Sequence, residues 1–220
     1  APCMHLRPAA PTGKAAARMI DSIRSHRDRF EIAAGIRERM PEQASTLHRL
    51  LGFVGSRYRH NRHNPLVMDC LVVDEASMID LPLMARLLDA LSGLPLVVEF
   101  RHASWATDRV FAYLKERRVT LACVDVPELK NLFPPLAMVT NPDLFYIRFH
   151  GRNIRGWRSG NMQKQFDYDY SNDELAQWSR SRIPEMARQA KTGIIFFNNH
   201  VRGQAPKNAR MLIEQLTEDR

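Results

Sequence analysis

Tyr146-Ile147-Arg148-Phe149-His150-Gly151-Arg152-Asn153 decides how the second half of this 220-residue chain is read. Apolar residues alternate with Arg148 and His150, and the run stops at a glycine. A strand that delivers polar side chains to its carboxyl end has this pattern. The predicted strand spans residues 144–150, and three other segments share its form. The stretch 96–100 leads into Glu99-Phe100-Arg101-His102, 119–125 ends on Asp125, and 194–199 ends on Asn198-Asn199-His200. Helices are predicted between them at 108–118, 171–191 and 206–217. Ser171 and Glu174 have the spacing of a capping box, and Pro184 is expected to kink or break the helix they open. Continuously apolar strands separated by helices or long loops imply a parallel sheet buried on both faces. Ligands meet such sheets at the strands' carboxyl ends.

The first half alternates in the same way, so the whole chain reads as α/β. A helix is predicted over 13–26 from Ala16, Ala17, Met19, Ile20 and Ile23. A short one starts at Ser45 as cap and stops at Gly52. Residues 57–64 form a basic polar loop. Cys70-Leu71-Val72-Val73 is an apolar strand ending in Asp74-Glu75, and Asp80 caps a helix running to about Leu91. No internal repeat interrupts this order.

Composition bounds the function classes. Hydrophobic residues make up 45% and charged residues 25%, as in ordinary soluble globular proteins. No apolar run reaches membrane-spanning length, and the opening Ala1-Pro2-Cys3-Met4-His5-Leu6-Arg7 lacks the apolar core of a signal peptide. Cys3, Cys70 and Cys123 are too few and too far apart for a disulfide framework or a zinc site. A cytoplasmic protein with no membrane partner is the expectation. The net charge of +8 and pI near 9.8 favour anionic partners, nucleic acid first. Residues 1–92 carry 13 basic and 10 acidic side chains, and residues 93–220 carry 19 and 14, so no single basic domain stands out.

The segment Leu71-Val72-Val73-Asp74-Glu75-Ala76-Ser77 has the form of a Walker B strand. An apolar strand would hold Asp74 where it can orient magnesium, with Glu75 beside it to polarise the attacking water. Residues 9–18 (Ala-Ala-Pro-Thr-Gly-Lys-Ala-Ala-Ala-Arg), 44–52 (Ala-Ser-Thr-Leu-His-Arg-Leu-Leu-Gly) and 72–84 accompany it in order. Together they closely resemble the RecD helicase family, the alpha subunits of exodeoxyribonuclease V, over about residues 8–91. The resemblance implies that Asp74 and Glu75 match the magnesium and water-activating acids. It also implies that residues 11–18 and 45–49, with Lys14, Arg18, Thr46 and His48, match segments that contact single-stranded DNA along the motor cleft.

The departures matter more than the match. Gly13-Lys14 imitates a Walker A loop, but Pro8 stands at the first glycine position and Ala15 follows the lysine. No other stretch of these residues fits. Without the phosphate-cradling loop, Asp74 and Glu75 are expected to be inactive, and no ATP or magnesium cofactor is expected unless a separate partner supplies that loop. The basic loop (Arg57, Arg59, His60, Arg62, His63, with Tyr58 among them) offers phosphate contacts and a stacking ring. It reads more readily as a solvated connection, since nothing in it selects sequence or strand, and the nucleic-acid binding expected is weak and sequence-indifferent.

The segments 98–105 (Val-Glu-Phe-Arg-His-Ala-Ser-Trp), 146–153 and 196–205 (Phe-Phe-Asn-Asn-His-Val-Arg-Gly-Gln-Ala) resemble the YecE-like family of TIM barrels, a domain of unknown function. The resemblance runs over about residues 94–216. It implies that Glu99, Arg101, His102, Trp105, Arg148, His150, Arg152, Asn198 and Asn199 line a barrel mouth, and it transfers no chemistry. The family's first half is missing. His102, His150 and His200 sit on different strand ends with no His-x-x-x-His or Cys-x-x-Cys helper, so they read as hydrogen-bonded rim histidines and no metal site is assigned.

The fold expected is a partial P-loop-NTPase-like parallel α/β segment (1–92) followed by the C-terminal half of a (β/α)8 TIM barrel (93–220), joined near residues 88–95. Both families place a helix, a turn and a buried strand there. Four strands where a barrel needs eight leave open sheet edges, which favours self-association. Three functions fit: a vestigial motor segment without intact catalysis, a half barrel binding an anionic small molecule, and a scaffold with no ligand. On the second reading, Arg101, Arg148 and Arg152 bind a phosphate-like or carboxylate ligand. Glu99 and Asp125 are then the candidate general bases, and Gly151 lets the ligand approach the backbone. The alternative at the same residues is that the arginines pair with Glu99 and Asp125 across the strand ends.

Overall fold

The computed structural model describes residues 6–29, 32–74 and 76–218. The chain divides into two compact units, Ala1–Pro95 and Leu96–Arg220. Both are mixed α/β with parallel sheets.

In the first unit, β1 (Leu6–Ala10) is the middle strand of a three-stranded parallel sheet, between β2 (Ser45–Thr46) and β5 (Cys70–Val73). Thr12 opens the helix Gly13–Arg29 by accepting the Ala15 N–H at 3.2 Å. The helix closes on His26, Arg27 and Arg29, cations that suit the negative end of its dipole. Its inner face meets the sheet through Ala10, Ala15 and Ala16, small side chains that let backbones approach but bury little apolar area. The helix Leu81–Ala90 starts as expected, with Asp80 accepting the Leu83 N–H at 2.8 Å and Pro82 in the first turn.

Two expectations for this unit are corrected. Ser45 is not a helix cap, because it pairs with Ala9 in the sheet; Thr46 caps the helix Leu47–Leu50 instead, accepting from Arg49 N at 3.2 Å. The start of the basic loop is a hairpin of β3 (Phe53–Val54) and β4 (Arg57–Tyr58). Gly55, at φ +61°, takes the first turn position, where a left-handed residue matches the strand twist. The Phe53 and Tyr58 rings pair across it, 4.8 Å apart.

The second unit is built on a parallel sheet of β6 (Val97–Val98), β7 (Thr120–Asp125), β8 (Leu144–Phe149) and β9 (Thr192–Phe197), in that order. Central strand β7 is buried along its whole length. In β8, Phe145, Ile147 and Phe149 face a core with Tyr170, Leu175, Trp178, Ile183 and Met186. The opposite face of edge strand β9 leaves Ile194 and Phe196 exposed.

Strand β6 is shorter than predicted because the chain leaves the ladder after Val98. Arg101 O then accepts from Phe133 N, and Ala103 N donates to Asn131 O. Strand β9 starts and stops two residues early. Gly193 lies against the Phe145 ring, where an added Cβ would fall 2.1 Å away. Beyond Phe197, Asn199 turns toward buried partners.

The capping box at Ser171 and Glu174 is present. The helix it opens does not run unbroken to Lys191. Asn172–Gln177 gives way to a π turn at Trp178–Arg182, then to Ile183–Gln189, which carries Pro184 in its first turn. A wider turn ahead of the proline accommodates its missing N–H without ending the helix. The helix Asp108–Glu116 ends two residues earlier than expected, ahead of Arg118 in the left-handed region (φ 53°), and the last helix spans Gln204–Glu218.

Candidate functional site

Two strand ends of the second unit, those of β6 and β8, meet at Glu99. Its Oε2 accepts from Arg148 Nη1 at 2.6 Å, and its Oε1 lies 3.4 Å from His150 Nε2 and 3.6 Å from Arg101 Nε. Arg148 and His150, two apart at the end of β8, reach the same carboxylate, as strand alternation requires. Burial alone would raise the Glu99 carboxyl. The His150 hydrogen bond and charge, with Arg148 and Arg101, outweigh it and hold the pKa at about 2. The exposures differ sharply: His150 2%, Glu99 14%, Arg148 28% and Arg101 65%. Beside them lies a cavity of about 20 Å³ with mostly apolar walls, including Phe100, Leu132, Phe133 and Trp157. His150 forms part of its lining, and the ring's Nδ1 is buried without a partner.

Asp125 and Arg152 form a different assembly. Asp125 is fully buried and accepts four bonds: Arg152 Nε at 2.8 Å and Nη2 at 2.6 Å, Tyr170 Oη at 2.8 Å and Trp178 Nε1 at 2.7 Å. With every lone pair engaged, this carboxylate positions its neighbours and presents no free acceptor to a ligand. Arg152 is equally committed; the hydrogen bonds to Asp125 raise its pKa further, and Gln177 Oε1 accepts from it at 3.2 Å. Gly151 has φ +93°, and the group that fills the space a Cβ would need is Tyr168, at 2.6 Å, instead of the ligand expected there. Tyr170 Oη also accepts from Gly151 N at 2.8 Å, which fixes this turn.

The remaining candidates in this unit are dispersed. His102 Nδ1 faces Ser104 Oγ at 2.8 Å and caps its own short turn, and Trp105 stacks on Phe100 at 4.6 Å. Asn198 N donates to Phe149 O at 2.7 Å. Asn199 is buried and donates to Tyr168 O and to Asn208 Oδ1. Of the residues named from the sequence, the structure brings Glu99, Arg101, Arg148 and His150 together. Sequence reasoning missed Tyr170 and Trp178 as donors to Asp125, and Phe133 and Trp157 as cavity walls. Their only signal was aromatic character, which core residues share. Among the described residues, no group of three His, Cys, Asp or Glu could hold a metal ion.

In the first unit, Asp74 follows β5 and its N–H donates to Ala9 O at 3.1 Å, while Glu75 lies outside the described residues. Lys14 and Arg18 are exposed one turn apart on the helix Gly13–Arg29. The Thr46 hydroxyl is occupied as a cap. His48 joins the hairpin rings, 5.6 Å from Phe53 and 6.1 Å from Tyr58, with Arg57, Arg59 and Arg62 exposed. Among the described residues no helix is long and apolar enough to cross a membrane.

Comparison with known proteins gives two family matches, which overlap over residues 74–98. A model described as "AAA domain" matches residues 4–98, and the one described as "Protein of unknown function DUF72" matches residues 74–220. The RecBCD enzyme subunit RecD of Haemophilus influenzae is 46% identical over 94 residues, which is 40% of this chain but 15% of that protein. The UPF0759 protein YunF of Bacillus subtilis is 26% identical over 136 residues, 57% of this chain and 48% of that one. A solved DUF72 family protein from Thermotoga maritima superposes with a TM-score of 0.58 at 34% identity, covering 62% of this chain and 51% of its own. The chain therefore spans a small fraction of its RecD relative and about half of its DUF72 relatives. With the DUF72 match covering well over half of its residues, the chain belongs to the DUF72 family and carries a RecD-like segment at its N-terminal end.

Proposed function

We propose that the second unit binds a small anion at the carboxyl ends of its strands, and that the RecD-like segment is a vestigial piece of a motor. One observation carries the anion reading: a single carboxylate, Glu99, is faced by two guanidinium groups and an imidazole. The cluster has surplus cationic donors. Arg101 in particular, 65% exposed, contributes only a 3.6 Å contact to Glu99. Guanidinium forks favour planar or tetrahedral oxyanions through paired, charge-assisted bonds. The engagement of Arg152 by Asp125 confines the proposed site to Arg101, Arg148, His150 and Glu99.

On the same proposal, residues 93–220 form the C-terminal half of a TIM barrel and residues 1–92 a partial P-loop-like fold, joined within 88–95. These 220 residues contain no Walker A loop, so the chain by itself does not turn over ATP. Calorimetric titration of the full chain with phosphate and succinate tests the anion site. Saturable heat that falls in Arg101→Ala and Arg148→Ala supports it. Equal heats in the three proteins reduce the cluster to a salt-bridged rim.

A further inference from the structure

We infer that the outer edge of β9 is an interface, and that it takes β9 of a second copy of this chain, antiparallel about a two-fold axis at Ile195. The inference stands apart from the anion reading. Asn198 N donates to Phe149 O at 2.7 Å, so residues 192, 194, 196 and 198 turn their backbone N–H and C=O toward β8. These groups alternate sides along a strand, so those of Gly193, Ile195 and Phe197 point away from the sheet. Among the described residues no strand lies beyond β9, and these outward groups have no partner. Natural edges are blunted by a lysine, a proline or a bulge, or are kept very short. Thr192-Gly193-Ile194-Ile195-Phe196-Phe197 has no charge and no proline, and it follows β8 in unbroken register. The opposite edge is blunted, because β6 has two residues and the chain then turns residues 101–103 toward 131–133. One edge stops pairing and the other offers it.

The exposed side chains select the partner. Ile194 is 37% and Phe196 51% exposed on one face of the strand, and Phe196 stacks on Tyr146 with ring centres 5.6 Å apart. A copy of β9 turned end for end about Ile195 sets Ile195 opposite itself and Gly193 opposite the partner's Phe197. In that register the outward N–H and C=O groups of all three residues are bonded. The same register sets Ile194 against the partner's Phe196, an aromatic–β-branched pair that the two-fold axis makes twice. The alignment that satisfies the backbone is therefore the one that covers the exposed side chains. No charge lies on either strand, so no like charges oppose each other. Both copies use the same patch and the other edge is blunted, so assembly closes at two chains.

The test uses the full chain. Sedimentation equilibrium of the wild type at rising concentration should show monomer passing to dimer and no larger species. Ile194→Lys and Phe196→Lys each remove both copies of the cross-strand pair and put a charge on the edge. Each should weaken the dimer by about tenfold or more, with the circular dichroism of the chain unchanged. A second arm reads the register without the lysines. Facing residues of a non-hydrogen-bonded antiparallel pair have Cα atoms about 4.5 Å apart, within reach of a disulfide. Mixed Ile194→Cys and Phe196→Cys chains should therefore cross-link on mild oxidation, well above either variant alone and above the wild type with its own three cysteines. A monomer at every concentration, a dimer of full strength in the folded lysine variants, or cross-linking no stronger in the mixture than in either variant alone overturns the inference.

Discussion

Replacing Asp125 by Asn changes one atom at the most heavily bonded carboxylate of the second unit. The native side chain is fully buried and its two oxygens accept from Arg152 twice, from Tyr170 and from Trp178, all within 2.8 Å. An asparagine oxygen can keep at most two of these four donors. Its amide turns two hydrogens toward the other two, and Arg152, 23% exposed, loses its nearer counter-ion and keeps only Glu174, 3.7 Å away. Removing one partner of a buried ion pair costs about 3–5 kcal/mol. For a unit of this size about 4 °C of melting temperature accompanies each kcal/mol, so a fall of about 12–20 °C is expected. Thermal denaturation of the full chain followed by tryptophan fluorescence measures it, with Trp178 reporting from the bond itself. A midpoint within about 3 °C of the wild type would refute the view that Asp125 is the hub of this assembly.

Glu99 gives a pH signature. Its pKa of about 2 in the folded chain lies below the usual 4.5, so its contribution to stability is complete above 4.5 and is lost as pH falls through about 2. The wild type should therefore lose more melting temperature than Glu99→Gln between those pH values, and parallel curves would contradict the assignment. Nucleic-acid binding by the chain should be weak and fall steeply with salt, and Arg57, Arg59 and Arg62 replaced by Ala should weaken it further; salt-independent affinity in a filter-binding assay would tell against the electrostatic basis. DNA-stimulated ATP hydrolysis should be undetectable in a phosphate-release assay, and turnover that vanishes in Asp74→Ala would show a nucleotide site that the sequence reading missed.

Local signals in the sequence translated faithfully where a side chain acts within a few residues of itself. Asp80 caps its helix, Ser171 and Glu174 form their box, and β8 alternates as its pattern requires. Ser45 misled because a sheet ladder with Ala9 outcompeted the helix signal, a pairing 36 residues distant that no local pattern encodes. The site divides along the same line. Arg148 and His150 announced a shared face by their spacing, and Glu99 stood at the end of β6, with β7 between. The aromatic donors to Asp125 lie 45 and 53 residues downstream, on segments whose aromatic residues look like core and are core. Gly151 marked an unusual backbone position, but its φ could not tell whether a ligand or Tyr168 would occupy the space beside it. Pro184 signalled a break that a π turn absorbed, because the helix flanking it is held on both sides by Trp178, Ile183 and Met186 in the core.

The anion site is tested most directly by following backbone amide ¹H–¹⁵N shifts of the full chain during titration with inorganic phosphate. Saturable shifts should gather at Glu99–Arg101 and Arg148–His150, and the amides of Arg57–Arg62 should not follow the same curve. Shifts confined to the basic hairpin, or none at the ends of β6 and β8, would contradict an anion site on this face.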